Sequence, residues 1–421
     1  MSNQRDYTGF AVATHPAPHL DEWFSIWSFM RRARLSPSAF VNFVDSAQEC
    51  ARMPEMTLFI GIGREEFDEH APTGRPEGTS AASLTAGTLG LEARLEIKPI
   101  LDAVHLGDIK GDQHVFNVDA LLKPVCQLHP RATDLHRRLG VSMFHMFDVL
   151  AGYSSLDYPQ SVSPRNLPEG LQVCTDASQV FLLWQQHVVS TKQEDCERAM
   201  KHMDKLWFDP QGEVQLLHLR NVARLMHLKR GPEFTYRFME PLLEGFLQKQ
   251  LDTQDYGRCH HDWMRAHKFE TENGLKVAMV RTENPFLMGH LRRRKDLKNP
   301  ELCPDLVVVR YYPENSPPTT TVWTMSEVGS HAMNRVVSSI ARREFRLSTS
   351  QQSREHFATA LEQALEDGLS RNLPKEADNW YLLRLNSRGN PTWSLMNGTL
   401  TRSVRPTRLS QQDWVEVLLP L

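Results

Sequence analysis

Two prolines, Pro16 and Pro18, constrain the fold of this chain more than any other feature. In Thr14-His-Pro-Ala-Pro-His-Leu-Asp-Glu22 they separate His15 from His19, and proline lacks the backbone N–H and clashes with the preceding turn of a helix. The H-x-x-x-H spacing is therefore not a helical pair. An apolar run, Phe10-Ala-Val-Ala13, stops just before it, and an amphipathic helix pattern, Trp23-Phe-Ser-Ile-Trp-Ser-Phe29, begins just after. The segment reads as a strand-to-helix turn carrying two imidazoles and a carboxylate, His15, His19 and Asp21. Imidazole suits transition metals and carboxylate suits Mn or Mg, so the three can converge on one divalent cation.

Two further clusters follow. Thr57-Leu-Phe-Ile-Gly-Ile-Gly63 reads as a buried strand entering a Gly turn, and Phe67-Asp-Glu-His70 places Asp68, Glu69 and His70 directly after it. His105-Leu-Gly-Asp108-Ile-Lys-Gly111 sets an acid after the helix pattern Ile97 to Val104. Elements over the first 150 or so residues alternate: strand Phe10–Thr14, helix 20–33, strands Ala39–Val44 and Thr57–Ile62, helix 79–90, then helices around 95–105 and 116–150. Such alternation predicts a mainly parallel sheet with covering helices. Ligand sites of open α/β sheets gather at strand ends, where these clusters fall.

The order HxxxHxDE, then G-x-G followed by FDEH, then the small-residue helix Thr79-Ser-Ala-Ala-Ser-Leu-Thr-Ala-Gly-Thr-Leu-Gly90, then GDxxG resembles the DHH phosphoesterase superfamily. Within it the likeness is strongest to the branch of MYG1-type exonucleases, and it is most specific over residues 10 to 125. The resemblance implies that His15, His19 and Asp21 are first-motif metal ligands, that Asp68, Glu69 and His70 match the motif that names the superfamily, and that Asp108 is the late ligand aspartate. It implies one or two Mn2+ (or Mg2+) ions, with Asp68 and His70 as the catalytic residues. His70 then lies beside the scissile phosphate, polarising it or protonating the leaving oxygen. There are two departures. Glu69 replaces the middle histidine, and Ile60-Gly-Ile-Gly63 has no bridging aspartate, so Glu65, Glu66 or Asp68 substitutes or only one metal binds.

At 421 residues the chain is too long for one core, and its 40% apolar and 24% charged content is ordinary for a globular protein. No stretch reaches the ~20 apolar residues of a membrane span. Met1-Ser-Asn-Gln-Arg-Asp has no apolar signal core, and six scattered cysteines without a CxxC fit a reducing cytoplasm. Cys259-His260-His261 has no second paired cluster and reads as an ordinary surface. A net charge of −3 excludes indiscriminate coating of nucleic acid but leaves room for a local basic groove.

Three regions are expected: a DHH-like metal-binding domain over 1–150, a linker and helical segment over 151–265, and a smaller C-terminal α/β (DHHA1-like) domain over 266–421, with an interdomain cleft. Tyr153 to Gly170, rich in Ser and Pro, marks the first boundary, and 176–265 is helical by pattern. Strands are predicted at Leu275–Val280, Asp305–Tyr311, Thr319–Thr324, Trp380–Arg384 and Trp393–Thr399, with helices at 327–344 and 353–370. Asn397-Gly-Thr399 with Arg405-Pro-Thr-Arg-Leu409 resembles the closing motifs of prokaryotic relatives. In that architecture Arg292, Arg293, Asn397, Gly398, Thr399, Arg402, Arg405 and Arg408 are the substrate-binding candidates, because guanidinium forks bind phosphate bidentately. The function expected is a divalent-metal-dependent phosphoesterase hydrolysing phosphodiester bonds, a nuclease or exonuclease on single-stranded RNA or DNA or on short oligonucleotides, with a small nucleotide or cyclic dinucleotide as the alternative substrate and a homo-oligomer open. The competing expectations are a nucleotide-binding or regulatory protein that has lost turnover, and a scaffold whose helical middle binds another protein.

Overall fold

A computed structural model describes residues 6–44, 47–62, 66–68, 79–110, 114–158, 167–191, 195–294, 297, 299, 302–312, 318–346, 381–387, 390–397, 407 and 409–421. It is a mixed α/β protein with a three-stranded parallel sheet and a six-stranded mixed sheet. The chain divides into two compact units, Met1–Leu251 and Asp252–Leu421, rather than near 150 and 265. The helical stretch belongs to the first unit because Phe181, Trp184, Trp207 and Leu242 share one apolar core with Trp23, Trp27 and Phe147.

In the first unit β1 (Ala11–Thr14), α1 (Leu20–Arg32), β2 (Val41–Phe43), α2 (Ala47–Cys50) and β3 (Thr57–Phe59) alternate as the apolar periods predict. The sheet order is β2-β1-β3, all parallel, so the carboxyl ends of the three strands share one edge. There follow α3 (Ala81–Leu89), α4 (Lys98–Lys110), α5 (Val118–Leu128), α6 (Thr133–Leu150), α7 (Ala177–Thr191), α8 (Asp195–Trp207), α9 (Pro210–Glu213), α10 (Leu219–Arg230) and α11 (Pro232–Asp252). Two boundaries differ from expectation. The single helix predicted over 116–150 is broken at His129-Pro130, where proline disfavours a helical residue before it. The helix predicted to stop near Val104 runs on to Lys110, so Asp108 lies within α4.

Helix α1 is buried from Leu20 through Met30, on every face and not on one stripe. A helix covered all round is a central core helix. Its second half is tied to α6 by Asp148, whose carboxylate is 0% exposed. That carboxylate accepts hydrogen bonds from Trp27 Nε1 (2.7 Å), Arg31 Nε (2.9 Å) and the Tyr158 hydroxyl (3.0 Å), and pairs with the Arg31 guanidinium.

Burial drives three histidines of this unit, His136, His145 and His218, down to about 4. Between the usual value near 6.5 and about 4 the unfolded chain binds protons that the folded chain refuses. Stability is therefore full above pH 6.5 and falls as pH drops through that window. Thermal midpoints recorded at pH 7, 6 and 5 should decline in that order; a flat profile would contradict the neutral burial of these rings.

The second unit holds β4 (His267–Glu270), β5 (Lys276–Thr282), β6 (Leu306–Tyr311), β7 (Thr319–Thr324), β8 (Tyr381–Ser387) and β9 (Asn390–Asn397) in the order β4-β5-β6-β7-β9-β8. Only the β5–β6 pairing is parallel. Helices α12 (Arg258–Met264), α13 (Leu287–Arg293), α14 (Glu327–Arg346) and α15 (Gln411–Leu418) complete it. The α14 residues Met333, Val336, Val337 and Ile340 bury Val277, Val308 and Val322 of the sheet, together with Trp414 of α15. The expected helix at 353–370 lies outside the described residues. Among those residues no helix is long and apolar enough to cross a membrane.

Candidate metal centre

The carboxyl end of β1 delivers Thr14 to the rigid His15-Pro-Ala-Pro-His19 turn, and α1 starts at Leu20. His19 is the N-cap, in extended conformation (φ −82°, ψ −178°). Its backbone N–H donates to Glu22 Oε2 at 2.5 Å, the return bond of a capping box, which satisfies a donor the helix leaves orphaned. The Ala17 N–H donates to His15 Nδ1 at 3.3 Å, so the His15 proton sits on Nε2 and is donated to Glu22 Oε1 at 2.6 Å. Asp21 and Glu22 are each only 2% exposed. The helix N-terminus lowers the cost of burying two carboxylates there.

Two sets of ligand atoms emerge, each with its members within 4.8 Å of one another: His15, His19 and Glu22, and His19, Asp21 and Asp108. His19 belongs to both. Asp108 reaches the set from α4, one turn beyond the buried Val104 on the same helix face. Burial lowers the His19 pKa to about 4, with the charges of His15 and Lys123 adding to the effect and Asp119 and Asp108 opposing it. The ring is therefore neutral, the form that ligates a cation. Burial works against the Lys123 ammonium, but the carboxylates of Asp119, Asp108 and Asp21 outweigh it and hold its pKa above the ordinary lysine value. Lys123 Nζ pairs with Asp119 Oδ2 at 2.9 Å, one turn away on α5. A positive charge is thus held beside the acidic set.

At the end of β3, where the resembled family carries an aspartate, Gly61 has φ +64°, and a Cβ built on it would lie 2.6 Å from Glu22 Oε1. The glycine makes room for an acid supplied by α1. Glu22 thus fills the space beside the end of β3. Gly61→Ala meets both the left-handed backbone and the Glu22 carboxylate, which is held by His15 and the His19 N–H. A loss of about 1–3 kcal/mol is expected from the backbone conformation, together with weakened metal uptake. Chemical denaturation and metal titration of the variant check this, and wild-type values in both would contradict it.

Among the sequence-predicted ligands, the structure brings His15, His19, Asp21 and Asp108 into these two sets. Asp68 is buried (3%) just after Phe67, which bridges Ile60 and accepts the Gly61 N–H, yet it joins neither set. Glu69 and His70 lie outside the described residues, as do Gly398, Thr399, Arg402, Arg405 and Arg408. Arg292 and Arg293 are exposed on α13 in the second unit, Arg292 over the Trp323 ring at 4.9 Å and Arg293 donating from Nε to the Gly289 carbonyl at 3.0 Å. Although the residues are exposed as wholes, crowding of the guanidinium heads by neighbouring protein costs them hydration and lowers both pKa values. Asn397 ends β9, paired with Thr320.

Glu22, Asp119 and Lys123 were missed as parts of the site. The available signals were a His19-x-x-Glu22 spacing of capping-box form with histidine in the place of serine, and an Asp119–Lys123 pair at i, i+4. The donor set of two imidazoles and three carboxylates could hold a divalent cation and lacks the thiolates a soft metal prefers. None of the six cysteines is in a disulfide. Comparison of the chain with known protein families, curated proteins and solved structures finds no match.

Proposed function

We propose that this chain is a divalent-metal-dependent phosphoesterase built on a DHH-like N-terminal domain, hydrolysing phosphodiester bonds of a nucleotide or of single-stranded nucleic acid. One observation carries the reading: two histidines and three acids from three elements gather at the carboxyl edge of a parallel sheet, in two sets joined by His19. His15, His19 and Glu22 would hold one cation, and His19, Asp21 and Asp108 a second or an alternative position. A divalent cation there supplies a Lewis acid for a phosphoryl oxygen and lowers the pKa of water. As neutral imidazoles, His15 and His19 would each ligate through the ring nitrogen that carries no proton, His15 after tautomer exchange if Nε2 is the ligating atom, so neither ring need lose a proton to the solvent. Lys123, held by Asp119, offers its ammonium to a phosphate oxygen. His70 remains the proposed partner of the leaving oxygen.

The test combines metal analysis with hydrolysis of bis(p-nitrophenyl) phosphate and a short oligonucleotide in Mn2+. Wild type should retain one or two Mn2+ per chain and cleave at least one substrate. Asp21→Ala should keep its far-UV spectrum and lose turnover by about 100-fold or more. Unchanged hydrolysis by that variant sinks the proposal, and metal retention without any cleavage favours a binding protein that has lost turnover.

A further inference from the structure

A cleft of about 370 Å3 opens at the carboxyl end of β2, lined by Asn42, Phe43, Val44, Arg52, Met53 and Arg137, among others. Its volume falls within the range of small-molecule sites. Parallel pairing sets Phe43 beside Thr14, and the Val44 N–H donates to the Thr14 carbonyl at 2.9 Å. Thr14 immediately precedes His15, so the cleft begins about one strand spacing, ~4.8 Å, from the ligand-bearing turn. Behind it, His136 of α6 faces the Phe43 ring (6.1 Å between centroids) next to Arg137.

Arg137 is already held in place. Its Nε donates to the Val41 carbonyl (3.3 Å), its Nη1 to Asp134 (3.1 Å), and its guanidinium lies 4.1 Å over the Phe40 ring and 5.3 Å from that of Phe43. Phe40 is 60% exposed. Flat rings and a fixed guanidinium plane accept the π-face of a base, whatever its sequence. Asn42 spends its amide hydrogens on the Val12 and Phe40 carbonyls, which leaves Oδ1 as an acceptor for exocyclic amine hydrogens. Arg52 adds a second cation for the phosphate of a neighbouring nucleotide.

We infer that this cleft is the nucleoside subsite of the metal centre: a phosphate on the His19 cluster places its base and sugar against Phe43 and Arg137 of the lining, with Phe40 outside it holding the Arg137 guanidinium flat. The substrate is then a nucleotide ester and not inorganic pyrophosphate or a simple alkyl phosphate. The inference rests on the phosphoesterase reading of the cluster and adds what lies beside the reacting phosphate.

Calorimetry of the Mn2+-loaded full chain with AMP and with inorganic phosphate tests it, alongside hydrolysis of the dinucleotide pApA. AMP should bind about tenfold or more tightly than phosphate, as base stacking requires. Arg137→Ala and Phe40→Ala should each remove about fivefold or more of the AMP affinity and leave phosphate binding as it is. Phe40 is exposed, so its variant keeps the question open to measurement should Arg137→Ala fold poorly. Equal binding of AMP and phosphate, equal losses for both ligands, or binding of neither would overturn the subsite. Failure to cleave pApA while AMP preference and its sensitivity to Phe40→Ala persist would sink the phosphoesterase reading alone.

Discussion

His19→Ala is expected to lower both Mn2+ affinity and phosphodiester turnover by more than about 100-fold, since loss of even an outer partner of a ligand costs 10–100-fold. The size of the effect follows from His19 standing in both ligand sets. No other ring does so among the described residues. The fold should persist, because the N-cap contribution here is the backbone N–H donated to Glu22, which alanine retains. Loss of the ring at a helix cap should cost no more than ~1 kcal/mol. Calorimetric titration with Mn2+ and a steady-state assay read the two quantities. Losses of less than tenfold in both would remove His19 from the centre of the site.

The largest expected effect on stability lies at the other end of α1. Asp148→Ala strips the acceptor from Trp27, Tyr158 and Arg31 at once and leaves a guanidinium, only 12% exposed, without its counter-charge. Breaking such a buried pair from one side costs about 3–5 kcal/mol. For a unit of this size that corresponds to about 6–20 °C in thermal midpoint. Asp148→Asn keeps an acceptor and loses the charge, so it should fall between wild type and alanine. A shift below about 1 kcal/mol for the alanine variant would mean that α1 is held to α6 by its apolar contacts alone.

The link between these two ends explains what was legible in the sequence. Pro16 and Pro18 forbid a helix, and the apolar run before them and the aromatic helix after them leave one local path, so the meeting of His15 with His19 could be read from residue types; Asp21, expected on the same cation, instead joins His19 with Asp108 and shares no set with His15. The parallel three-stranded sheet followed from the alternation of periods. What escaped was tertiary. Glu22 folds back over its own N-cap and takes the space left by Gly61, and neither event is visible until β3 lies beside β1. Asp119 and Lys123 come from a helix separated from the turn by a hundred residues, and their role depends on which face of α5 is buried. Asp108 was expected after a helix because the apolar pattern runs from Ile97 to Val104, but α4 continues to Lys110 and carries the acid one turn beyond Val104. The joining of the helical middle to the first unit was hidden for the same reason: a helix pattern shows an apolar face and does not name the core that covers it.

The most direct measurement is an anomalous difference map at the manganese edge from crystals grown with Mn2+. The account predicts one or two peaks within about 2.0–2.3 Å of His19 and of carboxylate oxygens from Asp21, Asp108 or Glu22. Manganese bound elsewhere, with His19 and Asp108 pointing apart, would contradict it.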